Sequence, residues 1–162
     1  MKTCVFAGSF DPHTTGHQNV IEKALKIFDK ITVAVMDNTQ KNCLFTKEER
    51  LSLLKELYEG DGCVNVISFD GAAVDILKLE NTPFYIRGVR DAIDFEYENR
   101  DRFASEKLMP EMITVYIPAE QDETHISSSL VRNSVKFKKD YENYIPSKIL
   151  ASVKKLLENK NV

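Results

Sequence analysis

The sequence predicts an α/β protein, a Rossmann-like doubly wound sheet of five parallel strands with helices on both faces. Three observations lead there. Short apolar runs alternate with helical patterns from end to end, as expected of parallel strands joined by crossover helices. The 162 residues, 43% hydrophobic and 29% charged, suit one globular domain over residues 1–162 with a sizeable core. The chemically informative residues gather just after strands one, two, four and five, where an open parallel sheet binds ligands.

Each element has its own signal. Residues 3–7 read as the first strand, followed by a loop through Thr15. In the next helix Val20, Ile21, Ala24, Leu25 and Phe28 share one face at the 3.6-residue period. Ile31, Val33 and Val35 form the second strand. Thr46 and Glu49 make a capping box that opens a helix with Leu51, Leu54, Leu57 and Tyr58 inward. Residues 64–69 are a third strand and residues 72–79 a short helix. The fourth strand covers residues 84–87 and ends in a loop at Gly88. Asp91 or a neighbour caps a long helix that reaches Met109, where Pro110 stops it. Residues 113–117 are the fifth strand. A polar loop leads to Ser127, Ser128, Ser129 and another helix. Pro146 opens the last helix, with Ile149, Leu150, Val153, Leu156 and Leu157 on one side.

A formal net charge of −3 offers no broad basic surface to nucleic acid or to an anionic membrane. An anionic ligand must then be caught by locally placed Lys and Arg. No stretch approaches the roughly 20 apolar residues of a membrane span. The first residues carry no signal-peptide pattern, since the apolar run at 4–7 is short and residues 8–11 break it. Cys4, Cys43 and Cys63 are odd in number and lack C-x-x-C spacing, which indicates neither a disulfide framework nor a zinc site. A reducing, cytoplasmic setting is expected, with no nucleic-acid or membrane partner.

Four segments carry chemistry. After strand one, Gly16 and His17 open a helix whose amides and dipole favour anions; taken alone, the pair reads first as a turn with a capping histidine. After strand two, Lys41 stands among polar residues ahead of Phe45 and Thr46, and alone it reads as a solvated lysine. After strand four, Arg87 and Arg90 flank Gly88 and Val89, and arginine forks suit phosphate oxygens. Asp94 and Glu98 follow one helical turn apart; the plain reading is a charged helix with Glu96–Arg100 and Glu98–Arg102 pairs. After strand five, the three serines read first as a helix cap.

Taken together, these segments resemble the phosphopantetheine adenylyltransferases of the nucleotidyltransferase superfamily. Gly8-Ser9-Phe10-Asp11-Pro12 and Thr14-Thr15-Gly16-His17 match the superfamily's G-S-F-D-P and T-x-G-H strings. Lys41 lies ahead of F-T-x-E-E-R at residues 45–50, at the spacing of the substrate-phosphate lysine. R-G-V-R-x-x-x-D-F-E-Y-E at residues 87–98 is the most specific string, and I-S-S-S-x-x-R at residues 126–132 completes the set. The resemblance spans residues 3–157.

The resemblance implies reversible transfer of AMP from ATP to 4′-phosphopantetheine, giving dephospho-coenzyme A and pyrophosphate by in-line attack without a covalent intermediate. It implies His17 as transition-state donor, and Ser9, Lys41, Ala73 and Arg87 around the acceptor. ATP would be held by Ser9, Phe10, His17, Gly88, Val89, Arg90 and Glu98, and by the run Glu123, Thr124, His125, Ile126, Ser127, Ser128 and Ser129. Mg2+ would arrive with ATP, with no protein-built metal cage expected. A homohexamer and coenzyme A feedback are also implied. His13 has no place in the motif and is expected to be a loop residue. Glu123 and His125 stand where the family commonly has aromatic residues. His125 is therefore expected to stack on adenine and Glu123 to face solvent, with recognition by backbone amides as the alternative. Other enzymes of the fold, such as those using nicotinamide mononucleotide, share T/H-x-G-H and I-S-S but not the 87–98 string. A non-catalytic nucleotide sensor would be expected to lose His17 or Lys41. A flavodoxin-like interaction domain is what the periodicity alone supports.

Overall fold

The computed structural model describes residues 1–37 and 42–162, with the side chain of Asp101 left out. Lys41 therefore lies outside the described residues. Five strands, β1 (Thr3–Gly8), β2 (Lys30–Met36), β3 (Val64–Phe69), β4 (Phe84–Val89) and β5 (Ile113–Pro118), form one sheet in the order β3-β2-β1-β4-β5. All the pairings are parallel. The helices are α1 (Thr15–Ala24), α2 (Lys47–Leu57), α3 (Ala73–Leu79), α4 (Ala92–Leu108), α5 (Ser128–Lys136) and α6 (Ser147–Asn159). Short 3₁₀ turns at Gln121–Glu123 and Glu142–Tyr144 fall in the connections.

Alternation along β1 divides the core between two faces. Cys4 and Phe6 pack with Val20, Ile21 and Ala24 of α1 and Leu54 of α2. Val5 and Ala7 pack with Val74, Ile76 and Leu77 of α3 and with Met109 and Met112 beyond α4. Each face of the sheet is thus covered by helices, as the apolar character of the central strands requires. A third cluster joins α2, α5 and α6 through Leu53, Leu57, Val131, Val135, Ile149, Val153 and Leu157.

The helix boundaries follow their caps. Thr14 caps α1 and Thr46 caps α2, each in a reciprocal box with the residue three positions on. Asp91 caps α4 through its carboxylate, and Ser127 caps α5 through its hydroxyl.

Three expectations need correction. On α2 Leu51, Leu54, Leu57 and Tyr58 do pack inward, Leu51 and Tyr58 partly covered, but the buried set also includes Arg50 and Leu53. The helix is rotated so that Arg50 enters the interior, where backbone carbonyls satisfy it. Gly88 is not a loop residue: β4 continues through it, paired with Ile117 of β5. Glycine is needed there because a Cβ would come within 2.9 Å of the Val20 Cγ2 atom on α1. Glu98 turns from Arg102 to Arg87, and Arg102 pairs with Glu106 instead.

Candidate active site

The strand order changes direction between β1 and β4, which share the single register pair Val5–Tyr85. A cleft of about 760 Å³ opens at their carboxyl ends, the switch-point position of open α/β sheets. Its walls come from the loop after β1, the starts of α1, α3 and α5, the end of β4, and α4.

His17 sits on the first turn of α1. Its Nδ1 accepts the Thr14 amide at 3.1 Å and lies 3.0 Å from the Thr14 hydroxyl. An acceptor role for Nδ1 leaves the ring proton of the neutral imidazole on Nε2. Burial, and then the Arg90 guanidinium, push His17 down to about 4, so it stays neutral at physiological pH. Phe10 packs edge-on against this ring at 5.2 Å, in the left-handed region at φ 48°. A neutral N–H donor at a helix start can serve charge that develops on an anion.

Two arginines leave the end of β4 already engaged. Arg87 pairs with Glu98 at 2.8 Å and lies over the Tyr85 ring. Arg90 makes a two-pronged contact with Asp94 through Nε and Nη2. Asp94 and Glu98, one turn apart on α4, therefore orient the two guanidiniums while leaving other N–H groups for phosphate. Of the serine hydroxyls at the α5 start, Ser128 donates to the Pro12 carbonyl, whereas Ser127 accepts the Leu130 N–H and Ser129 accepts from Arg132. Ser127 and Ser129 thus keep their O–H protons for an anion, beside the free amides and the dipole end of this turn.

Behind the lining, two buried groups hold the loop after β1. Both Asp11 carboxylate oxygens accept amides, from Leu44 and Phe45, at 2.8 Å each. Arg50, 1% exposed, donates to the carbonyls of Ser9, Met36, Phe45 and Thr46 and pairs with Asp37. The Ser9 loop, the end of β2 and the start of α2 are tied into one unit by this side chain.

The cytidylyltransferase-like family model matches residues 5–134. A phosphopantetheine adenylyltransferase of Clostridium botulinum (strain Alaska E43 / Type E3) is 39% identical over 153 residues, 94% of this chain and 96% of that protein. One from Campylobacter concisus is 40% identical, with 94% and 98% covered, and one from Anaeromyxobacter sp. (strain K) is 36% identical, with 96% and 95% covered. The chain belongs to the phosphopantetheine adenylyltransferase family.

Most of the residues that the family resemblance points to converge on one cleft. Ser9, Phe10, His17, Ala73, Arg87, Gly88, Val89, Arg90, Glu98, Ile126, Ser127, Ser128 and Ser129 all line it. The expected division between Glu123 and His125 is reversed. Glu123 lines the cleft, whereas His125 is exposed and packs edge-on against Tyr144, outside the lining together with Thr124. The reason is the 3₁₀ turn at Gln121–Glu123, continued by the Ile126 N–H donating to the Glu123 carbonyl. Side chains three apart eclipse on such a turn, so Glu123 follows Ile126 inward and His125 does not.

His13 is a buried residue beside the site that sequence reasoning missed. It is 1% exposed, with its ring 5.2 Å from His17, 5.6 Å from Phe10 and 5.9 Å from Tyr58. Nε2 lies 3.3 Å from the Tyr58 hydroxyl, and Nδ1 has no hydrogen-bond partner among the described residues. Burial, and then His17, hold it well below its ordinary 6.5. Its only sequence signal was its place one residue before a cap. Asp94, Tyr97 and Arg132 also line the cleft; the four-residue spacing of Asp94 and Glu98 was the available clue to the first.

Proposed function

We propose that this chain transfers the AMP moiety of ATP to the phosphate of 4′-phosphopantetheine, releasing pyrophosphate and giving dephospho-coenzyme A, reversibly. The observation that carries the reading is the neutral His17 Nε2–H at the α1 start, facing a cleft that also holds two oriented arginines and the α5 start. Near-full-length similarity to phosphopantetheine adenylyltransferases supports the choice of acceptor.

A phosphomonoester has a second pKa of about 6, so its oxygen is already anionic at neutral pH and needs no general base. That oxygen attacks the α-phosphorus in line. The bond to the β-phosphate oxygen breaks, and pyrophosphate leaves with the electron pair. Ser9, Arg87 and Lys41 hold the acceptor phosphate, and the Ala73 backbone meets the pantetheine arm. Gly88, Val89, Arg90, Glu98 and the α5 amides hold ATP. His17 donates to the α-phosphate as its charge grows. Magnesium, the proposed cofactor, would arrive with ATP and would screen the triphosphate charge. Among the described residues no three His, Cys, Asp or Glu side chains converge on a metal position.

The proposal extends to a cytoplasmic homohexamer that binds coenzyme A as a feedback ligand. Exposed Ile93, Phe103 and Leu108 on α4 support burial of that helix in an assembly. No helix among the described residues is long and apolar enough to cross a membrane.

A pyrophosphate-release assay with ATP tests the reading, with phosphopantetheine, nicotinamide mononucleotide and glycerol phosphate as acceptors. Turnover is expected with phosphopantetheine. Turnover with either of the others and none with phosphopantetheine overturns it.

A further inference from the structure

Glu123 lies between Ala119 and Ile126, and all three line the cleft. Its backbone is committed within the turn, since its amide donates to the Glu120 carbonyl and its carbonyl accepts the Ile126 amide, at 2.9–3.0 Å. Its side-chain Oε2 is buried and has no hydrogen-bond partner among the described residues. Among the described residues no Lys, Arg or His forms an ion pair with it; the neighbouring Glu120 takes Lys23 instead. A carboxylate oxygen removed from water is costly to leave unpaired, so this atom points to a ligand that donates.

ATP offers a carboxylate two kinds of donor, the ribose hydroxyls and the exocyclic amine of adenine. The phosphates repel it. Beside Glu123 the lining turns apolar, with Val89, Ala119 and Ile126, a surface suited to the flat face of a base. The phosphate-facing amides begin only after Ile126, at the α5 start. We propose that Glu123 reads the base of the nucleotide, its carboxylate accepting a hydrogen bond from the 6-amino group of adenine and rejecting purines that carry a 6-oxo group. The inference rests on ATP being the nucleotide, and it makes Glu123 a specificity-determining residue of that reaction. Hypoxanthine places a carbonyl where adenine has its amine, so a carboxylate held at the 6-position faces an acceptor in place of a donor. Sites built on such a pairing discriminate strongly.

The test compares ATP with ITP and with 2′-deoxy-ATP in calorimetric binding and in kcat/KM for pyrophosphate release, in the wild type, Glu123→Gln and Glu123→Ala. The wild type is expected to prefer ATP by at least about 10²-fold. In Glu123→Gln the amide can accept from adenine or donate to the hypoxanthine carbonyl, so the preference falls to within about tenfold, chiefly by gain of ITP. In Glu123→Ala the ratio also falls, through weaker ATP. A residue acting only through fold would shift both nucleotides alike. An ATP/ITP ratio unchanged in both variants overturns the proposal, as does a wild type that binds both equally. A change confined to the ATP against 2′-deoxy-ATP ratio places the carboxylate on the ribose and also overturns it. Binding is measured without acceptor, so loss of turnover with phosphopantetheine would sink the proposed reaction and leave this test intact.

Discussion

His17 carries its function through which nitrogen holds the proton. The Thr14 amide occupies Nδ1, and the ring is neutral because burial and Arg90 push its pKa to about 4. The donor to the α-phosphate is therefore present across the physiological range. Activity should fall on the acid side near pH 6 instead, where the acceptor phosphate gains its second proton. Replacing His17 with Ala should lower kcat by on the order of 10² to 10⁴ and leave ATP affinity nearly unchanged, because the bond strengthens only as charge develops. Steady-state kinetics with calorimetric ATP binding checks this. Weak ATP binding at unchanged kcat would make His17 a ground-state ligand.

At the level of elements, the site depends on how closely α1 crosses β4. Val20 of α1 occupies the space beside Gly88, where a Cβ would lie 2.9 Å from Cγ2. Gly88→Ala should therefore destabilise the fold by about 1–3 kcal/mol and displace α1 from β4, taking His17 away from Arg90. Both stability and kcat should drop. Val20→Ala in the same chain removes the colliding methyl and should restore part of each, a coupling that a double-mutant cycle in urea reads directly. Additive losses would show that the two residues do not meet. Arg50 works at the same scale, since it links the Ser9 loop to β2 and α2.

Across the whole molecule, the two buried imidazoles connect the site to acid stability. His13 and His17 both have folded pKa values below the ordinary 6.5. As pH drops through about 6.5 the unfolded chain takes up protons that the fold refuses, so stability present above that pH is lost below it. Each histidine contributes a slope of up to about 1.4 kcal/mol per pH unit. Urea unfolding at pH 7.5, 6 and 5 should show this decline, and His13→Phe should remove about half of the imidazole part of it. An identical slope in that variant would show that carboxylates dominate. The strand order β3-β2-β1-β4-β5 acts at this scale too, because it brings the segments after β1, β4 and β5 to one crevice.

By itself the sequence determined the element succession, the helix starts at Thr46, Asp91 and Ser127, and the strings whose residues line the cleft. These are local facts: period, capping chemistry and spacing operate over a few residues, and each can be read without knowing the neighbours. The same locality explains the misses. Gly88 looked like a loop because its partner Val20 is 68 positions away in the chain, and the burial of Arg50 was not legible because two of the carbonyls that satisfy it, those of Ser9 and Met36, come from other segments. His13 resembled a loop residue until Phe10, His17 and Tyr58 enclosed it. Glu98 had two reachable arginines, and only the packing of α4 against β4 selected Arg87. Glu123 was expected to face solvent and His125 the nucleotide until the turn carried Glu123 inward. Burial and partner choice are decided by which segments meet, and that is a property of the tertiary structure alone.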